Sequence, residues 1–440
     1  MSRFSPAARL PFYYGWAVVG IAFVTMSVGV SARTSFSLLF PPILDEFGWE
    51  RGVTAAAFSV GFAASVMLVP TLGFVVTRFG PQVMIPAGAA IAACGLVLAT
   101  LATTPVEFYL TLGVMTVSFA VSMSYAGHSM FLPNWFVRRR GLAIGIAFSG
   151  VGVGAIVILP WLQSVIEAEG WRHACRSLAV LLVAVIVPLN ILAQRRDPAS
   201  VGLEPDGDDR QPARVRAARP ETVVDRRWAG TDWTLGRAVA TARFWWVTCG
   251  YFTGLFAWYS VQVHQTKYLL DIGFAPDFAA LALGLVGFCG IFGQIGVGGL
   301  SDRIGREWAW TVALSGFAVC YLLLLVVETV PSPLLVYAIV ACQGLFGYGL
   351  GALYGTIAAD IYAGPRFAVV FGFLSIGGNL GAGAGPWLTG TIFDRTGSYE
   401  PAFALCAALA LVSIFCIWMA APRRVRLAAG VALSRSRRRP

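Results

Sequence analysis

Charge is scarce in this 440-residue sequence: 12% of its residues are Asp, Glu, Lys or Arg, against 57% hydrophobic ones. A water-soluble domain has no use for so much apolar length, so a soluble globular protein is excluded. Histidine is rare too, with three copies. The eight cysteines (94, 175, 249, 289, 320, 342, 406 and 416) form no CxxC pair, which leaves a disulfide framework or metal site without support. They read as small apolar packing residues. The sequence contains no phosphate-cradling ATP motif, so any work it does is not driven by nucleotide hydrolysis, and no cofactor is expected.

What the sequence does contain is a series of long apolar runs, each sufficient to cross a hydrocarbon layer of about 30 Å as a helix of roughly 20 residues. Twelve are expected, over 14–39, 53–76, 82–102, 107–133, 141–165, 174–193, 244–266, 278–300, 308–328, 333–359, 367–391 and 401–421. The fold class is therefore all-α integral membrane. Arg3 and Arg9 before the first run and Val30-Ser31-Ala32 at its end faintly resemble a signal peptide, but the run is too long for one and eleven others follow it.

The net charge of +10 is distributed as a topology signal, not as a nucleic-acid surface. With a cytoplasmic N-terminus, inside segments hold 26 of the 32 Lys and Arg residues and outside segments hold five, counting Arg176 at the outer edge of the sixth span, with Arg33 lying within a span. Acidic residues divide evenly, as expected when positive charge sets orientation. Both termini then face the cytoplasm, and a cytoplasmic (inner) membrane is the expected location.

Two repeats show that the chain is duplicated. The turn Gly73-Phe-Val-Val-Thr77-Arg78-Phe79-Gly80 recurs as Gly298-Gly-Leu-Ser-Asp302-Arg303-Ile304-Gly305-Arg306, 225 residues later. At an offset of 226, Arg140, Ser149, Gly152, Pro160, Trp161 and Leu162 recur as Arg366, Ser375, Gly378, Pro386, Trp387 and Leu388. The expected organisation is a six-helix bundle over 1–193, a cytoplasmic linker over 194–243, a second bundle over 244–421 and a basic tail over 422–440. The tail, with seven arginines and no acid, reads as a disordered topology anchor drawn to anionic lipid headgroups. Glycines 145, 150, 152 and 154 in the fifth run and 377, 378, 381, 383 and 385 in the eleventh allow close helix contact, static or sliding.

These residues carry a family resemblance. The turn at Gly298 to Arg306, intact there and degenerate at Gly73 to Gly80, resembles the signature of the major facilitator superfamily. Gly15-Trp16-Ala17-Val18-Val19, Glu46-Phe47-Gly48-Trp49 and Arg139-Arg140-Gly141-Leu142-Ala143 are similar to its monocarboxylate transporter and oxalate/formate antiporter group. The resemblance implies two bundles with a substrate site between them near the midplane, opened to each side in turn. It also marks departures: Cys289 and Gly293 stand where the group's helix-eight acid and arginine would fall, Asn379 is the most polar residue of the span that bears the oxalate/formate-type lysine, and Thr34, beside Arg33, occupies the place of the helix-one lysine.

Every Asp and Glu falls in a loop or at a helix end and Arg176 and His264 fall within three residues of a span's end, leaving Arg33 and His128 as the buried ionisable candidates inside spans. An arginine there costs roughly 3 kcal/mol on insertion scales and calls for a partner or an aqueous cavity. Its planar fork of donors suits a carboxylate, so an anionic substrate is the expected partner, the alternative being an arginine that snorkels to headgroups or pairs with Asp45 or Glu46. Tyr125 and His128 are candidate supporting contacts, His128 otherwise being a neutral hydrogen-bonded residue. Tyr251, Gln294, Gln343 and Asn379 are candidates in the second half. A gating network is expected from Gly73, Arg78, Gly80, Gly298, Asp302, Arg303, Gly305, Arg306, Asp360 and Arg366, with the electrostatic latch in the C-terminal copy because Thr77 and Pro81 replace its acid and base. The reading is a non-enzymatic secondary transporter of a small organic anion, by proton coupling or anion exchange, acting as a monomer among membrane lipids. Its rivals are an exporter of hydrophobic compounds and a non-transporting membrane sensor.

Overall fold

A computed structural model describes residues 11–49, 51–210 and 221–437. Arg3 and Arg9, the linker's residues 211–220 and the last three tail residues lie outside the described residues. Among those described, eleven helical runs are long and apolar enough to cross a membrane: Tyr14–Phe47, Ala56–Phe79, Pro81–Ala99, Pro105–Asn134, Arg140–Glu169, Trp171–Ala193, Asp277–Ile304, Arg306–Thr329, Pro333–Tyr362, Phe367–Thr396 and Glu400–Arg424. The expected seventh span is a 30-residue helix, Ala242–Asp271, more polar than the rest because it carries Gln262, His264, Gln265 and Lys267. Membrane helices satisfy every backbone group internally, which is why so apolar a chain becomes almost wholly helical.

The chain divides into two compact units, Met1–Val137 with Gly150–Arg216, and Arg138–Ser149 with Ala217–Pro440. This differs from the boundaries read from the sequence. The first ten residues of the fifth span belong to the second unit, and the 194–243 segment is shared out, with short helical turns at Pro198–Val201 in the first unit and at Arg226–Ala229 in the second. The tail is not the disordered anchor expected. Leu427 N–H donates to the Thr222 carbonyl at 2.7 Å and Val224 N–H to the Val425 carbonyl at 2.9 Å, and a helix follows at Ala429–Arg437.

In the first unit, the first and fourth spans run antiparallel. The Tyr13 hydroxyl donates to the Trp135 carbonyl at 2.9 Å, while further along a Cβ at Gly29 would strike Met123. The Asn190 amide of the sixth span donates to Thr25 Oγ1 at 2.8 Å, and Glu46 accepts from the Trp171 indole at 2.8 Å and from Arg172 at 2.6 Å. The first span is longer than expected. It is interrupted at Ser35 and continues to Phe47, so Arg33 lies in the last turn of the first segment, Tyr14–Thr34, with a second helical segment beyond it.

Glycine placement repeats in the two units. Cβ atoms added at Gly150 and Gly154 would meet the Phe23 and Ser27 carbonyls of the first span. Those added at Gly377, Gly381 and Gly385 would meet the Thr248, Phe252 and Phe256 carbonyls of the seventh. Only glycine admits backbones this close.

The second unit's core is aromatic, with Phe256, Tyr268, Phe317, Tyr321 and Phe403 buried together. Beside it, Trp310 donates to Ser413 Oγ at 3.2 Å, and Ser413 to the Gly250 carbonyl at 2.6 Å.

Candidate functional site

Among the described residues the fourth, sixth and tenth spans carry π segments, the sixth at Leu182–Ile186, and those of the fourth and tenth fall in corresponding places. The fourth passes from a π-helix (Tyr109–Ser118) to a 3₁₀ turn (Phe119–Met123), breaks at extended Ser124 and resumes as Tyr125–Ser129. The tenth carries a π segment at Gln343–Gly347 between Pro333–Cys342 and Gly349–Tyr362. Such bulges inside membrane helices collect at functional sites, because they free backbone groups and redirect side chains.

His128 sits just past the break in the fourth span and is fully buried. Its Nδ1 lies 3.1 Å from the Ser124 carbonyl, which can only accept, so Nδ1 carries the proton. In the neutral ring Nε2 is then the open acceptor, and it is buried with no hydrogen-bond partner among the described residues. Tyr125, one turn earlier, is half-buried.

Arg33 is half-buried, with its guanidinium carbon 3.9 Å from the centroid of the Phe62 ring. Stacking on a ring occupies the faces of a guanidinium and leaves its in-plane N–H fork directed sideways, the direction from which a carboxylate binds. Arg33 and His128 are not brought together. Because Gly29 meets Met123 and Tyr13 meets Trp135, His128 falls level with about residue 22 of the first span, which puts it some 11 residues, or about 16 Å, from the level of Arg33. A small monocarboxylate cannot bridge that length.

In the second unit the Gln343 amide donates to Gln262 Oε1 at 3.1 Å, joining the tenth and seventh spans, while Gln343 Oε1 is buried without a hydrogen-bond partner among the described residues. Asn379 donates within its own helix to the Ser375 carbonyl at 3.0 Å, and Gln294 is fully buried. Tyr251 is not a lining residue. It is fully buried, stacked on Tyr354 at 3.9 Å, with its hydroxyl donating to the Tyr354 carbonyl.

The gating set resolves into a closed charge network. Asp302 accepts from the Gly141 and Leu142 N–H groups at 3.0 and 2.9 Å, capping the fifth span's N-terminus, where orphan donors and the helix dipole favour a carboxylate. Arg306 donates to Asp302 at 2.7 Å and to Asp360 at 2.8 Å, and Arg140 pairs with the other oxygen of Asp360. Two arginines and two aspartates balance, each no more than 8% exposed. Gly298 faces Gly141 with no room for a side chain. Arg303 and Arg366, expected in this network, lie outside it: both are exposed, and Arg366 only approaches Asp232 at 3.8 Å. Arg140 was the missing member, its pairing hidden in what reads as a basic loop.

The first unit's copy lacks the acid and the second base of the turn, keeping only Arg78. Thr77 bonds back to the Gly73 carbonyl at 2.8 Å, and Arg196 donates to the Thr77 carbonyl at 2.8 Å. Arg78 is exposed, beside the Phe79 ring. What both copies keep is the glycine that closes the turn: Gly80 (φ 81°, ψ 171°) and Gly305 (φ 102°, ψ 160°) occupy a backbone region open only to glycine.

A family model described as the Major Facilitator Superfamily matches residues 17–354 and 267–440. The chain belongs to that superfamily. It is similar to rat monocarboxylate transporter 12 (24% identity, covering 89% of this chain and 82% of the relative) and to mouse monocarboxylate transporter 11 (27%, covering 93% and 88%). Two solved structures share the fold: the transporter FucP in an outward conformation (14% identity, 92% and 98% coverage, TM-score 0.67) and the proton:xylose symporter XylE bound to 6-bromo-6-deoxy-D-glucose (13%, 96% and 99%, 0.70). A multi-pass membrane protein of a transporter family is thereby shown, and members of that family are not enzymes.

Proposed function

We propose that this chain is a secondary active transporter that moves a small organic carboxylate across the cytoplasmic membrane by alternating access, with Arg33 as the electrostatic anchor of the anion. The observation that carries the reading is the Arg33 guanidinium stacked 3.9 Å over Phe62 inside an apolar unit, its donor fork turned edge-on. The family's monocarboxylate transporters supply the substrate class, which this chain's departures at Cys289 and Gly293 do not narrow further. His128, about 16 Å deeper, belongs to a different step. Its open Nε2 is a proton acceptor on a path of its own if transport is proton-coupled; anion exchange does without it. Within the second unit, the Gln262–Gln343 pair and Asn379 offer uncharged hydrogen-bonding groups.

The charge network of Arg140, Asp302, Arg306 and Asp360 is the latch that holds one access state, since a buried balanced cluster is either made or broken and has no intermediate arrangement. The bias of positive charge puts both termini in the cytoplasm, and a monomer suffices for this mechanism.

The test is uptake of radiolabelled acetate, lactate and succinate into proteoliposomes. Saturable uptake of at least one that Arg33→Ala abolishes, while the variant's melting temperature holds, supports the anchor. Uptake unchanged by Arg33→Ala overturns it.

A further inference from the structure

The linker and the tail together build a basic cavity that the transport cycle does not use. The two segments are joined by the backbone pairing of Thr222 and Val224 with Val425 and Leu427, which sets Arg226 and Arg227 opposite Arg423, Arg424 and Arg435 around a space of about 820 Å³. Five arginines and two acids line it.

Local pairing disposes of part of that charge. Glu221 binds Arg226 at 2.8 Å, and this guanidinium holds its carboxyl below the usual range, so the pair is ionised and neutral overall. Arg423 reaches Glu307 at 3.3 Å and lies over the Trp418 ring. Asp225 accepts the Trp228 N–H at 2.9 Å as a helix cap. Arg227, Arg424 and Arg435 have no ion-pair partner among the described residues. Three arginine forks converging from two chain segments match the several oxygens of a phosphate better than a single carboxylate.

We infer that this cavity binds a phosphate group, and that the phosphate is that of an anionic membrane lipid. The geometry favours the lipid because Arg423 and Arg424 follow directly on the helix Glu400–Ala420, placing the arginines where that span leaves the membrane. Juxtamembrane arginines gain about 1 kcal/mol each from an anionic surface, or roughly fivefold in affinity per residue. The bound headgroup would pin the linker to the tail, whose helix Ala429–Arg437 packs at Gly430 against Arg303.

The experiment is a thermal-shift titration of the full-length protein in detergent with water-soluble dihexanoyl phosphatidylserine, dihexanoyl phosphatidylcholine and inorganic phosphate. The expected result is saturable stabilisation by the phosphatidylserine alone, with half-saturation raised about fivefold by Arg435→Gln and about 100-fold by the triple variant Arg227→Gln, Arg424→Gln, Arg435→Gln. Arg139→Gln, which does not line the cavity, leaves it unchanged. Should the triple variant not fold, Arg435→Gln near the end of the terminal helix decides alone. Equal stabilisation by the phosphatidylcholine, stabilisation by inorganic phosphate without the lipid, or an unchanged titration in the arginine variants each overturns the proposal.

Discussion

Asp302→Asn is the sharpest perturbation of the latch. The carboxylate accepts two backbone N–H bonds, one on each oxygen, and the Arg306 guanidinium at 2.7 Å. An asparagine retains one acceptor oxygen and turns an amide NH₂ toward the other donors, so at least one N–H loses its partner and meets a like group. The cluster also moves from neutral to a net +1, with Arg306 3% exposed and thus little screened by solvent. Removing one partner of a buried pair costs about 3–5 kcal/mol, because the remaining charge is left uncompensated. Thr77→Ala, at the equivalent position, removes one hydroxyl bond to its own helix and costs under about 1 kcal/mol. Denaturation of the purified protein should therefore separate the two variants clearly, and proteoliposome flux should fall far more for Asp302→Asn. The double variant Asp302→Asn, Arg306→Gln restores neutrality and should lose less than the sum of its singles, by about 1–3 kcal/mol. Equal losses for Asp302→Asn and Thr77→Ala, together with strict additivity in the cycle, would refute the network as an energetic unit.

Two further outcomes follow from backbone geometry. Gly305→Ala places a side chain at φ 102° and should lose about 1–3 kcal/mol, whereas Gly296→Ala, inside the helix that Gly305 caps and with open space around it, should be neutral or gain up to about 1 kcal/mol; thermal melts of the pair check the sign. Gly381→Val drives a branched side chain into the Phe252 carbonyl and should cost about 3 kcal/mol or lose the fold outright, while the same change at Gly383, which faces no neighbour, should express and melt like the parent.

The fold was legible because lipid leaves a chain few options: a run of roughly 20 apolar residues has to be a helix, and a repeated turn has to mark a repeated bundle. The charged elements were harder to read, for specific reasons. Arg138-Arg139-Arg140 reads as a uniform basic run that sets topology, yet Arg140 alone turns inward to a carboxylate 220 positions away, and nothing local to the sequence distinguishes it. The repeat even pointed elsewhere, because its counterpart Arg366 is exposed. Arg33 reads as a residue of one helix ending at 39, whereas the span is interrupted at Ser35 just after it and resumes as Phe36–Phe47. In the tail, seven arginines masked apolar residues that anchor it: Val425, Ala428 and Ala432 are buried, the first two in the stretch paired with the linker and the last in the helix Ala429–Arg437.

The two copies of the turn diverge in a way that assigns them different work. Asp302 and Arg306 correspond to Thr77 and Pro81, and Asp360 to Asn134, so these three charged members of the network have uncharged counterparts in the first half. The first unit replaces the ion pairs with single neutral acceptors: Arg196 reaches the Thr77 carbonyl, and Asn134 donates to the Arg196 carbonyl at 3.4 Å. Bonds of that kind are individually worth about 1 kcal/mol and can be lost one at a time. The second unit's four residues share their charges, so losing any one exposes the others, and the cluster opens or closes as a whole. Arg140 makes the asymmetry complete, since it comes from the first repeat of the sequence yet is bound within the second unit. On the proposed latch reading, the copy that includes Arg140 is the one with the all-or-none character a switch requires.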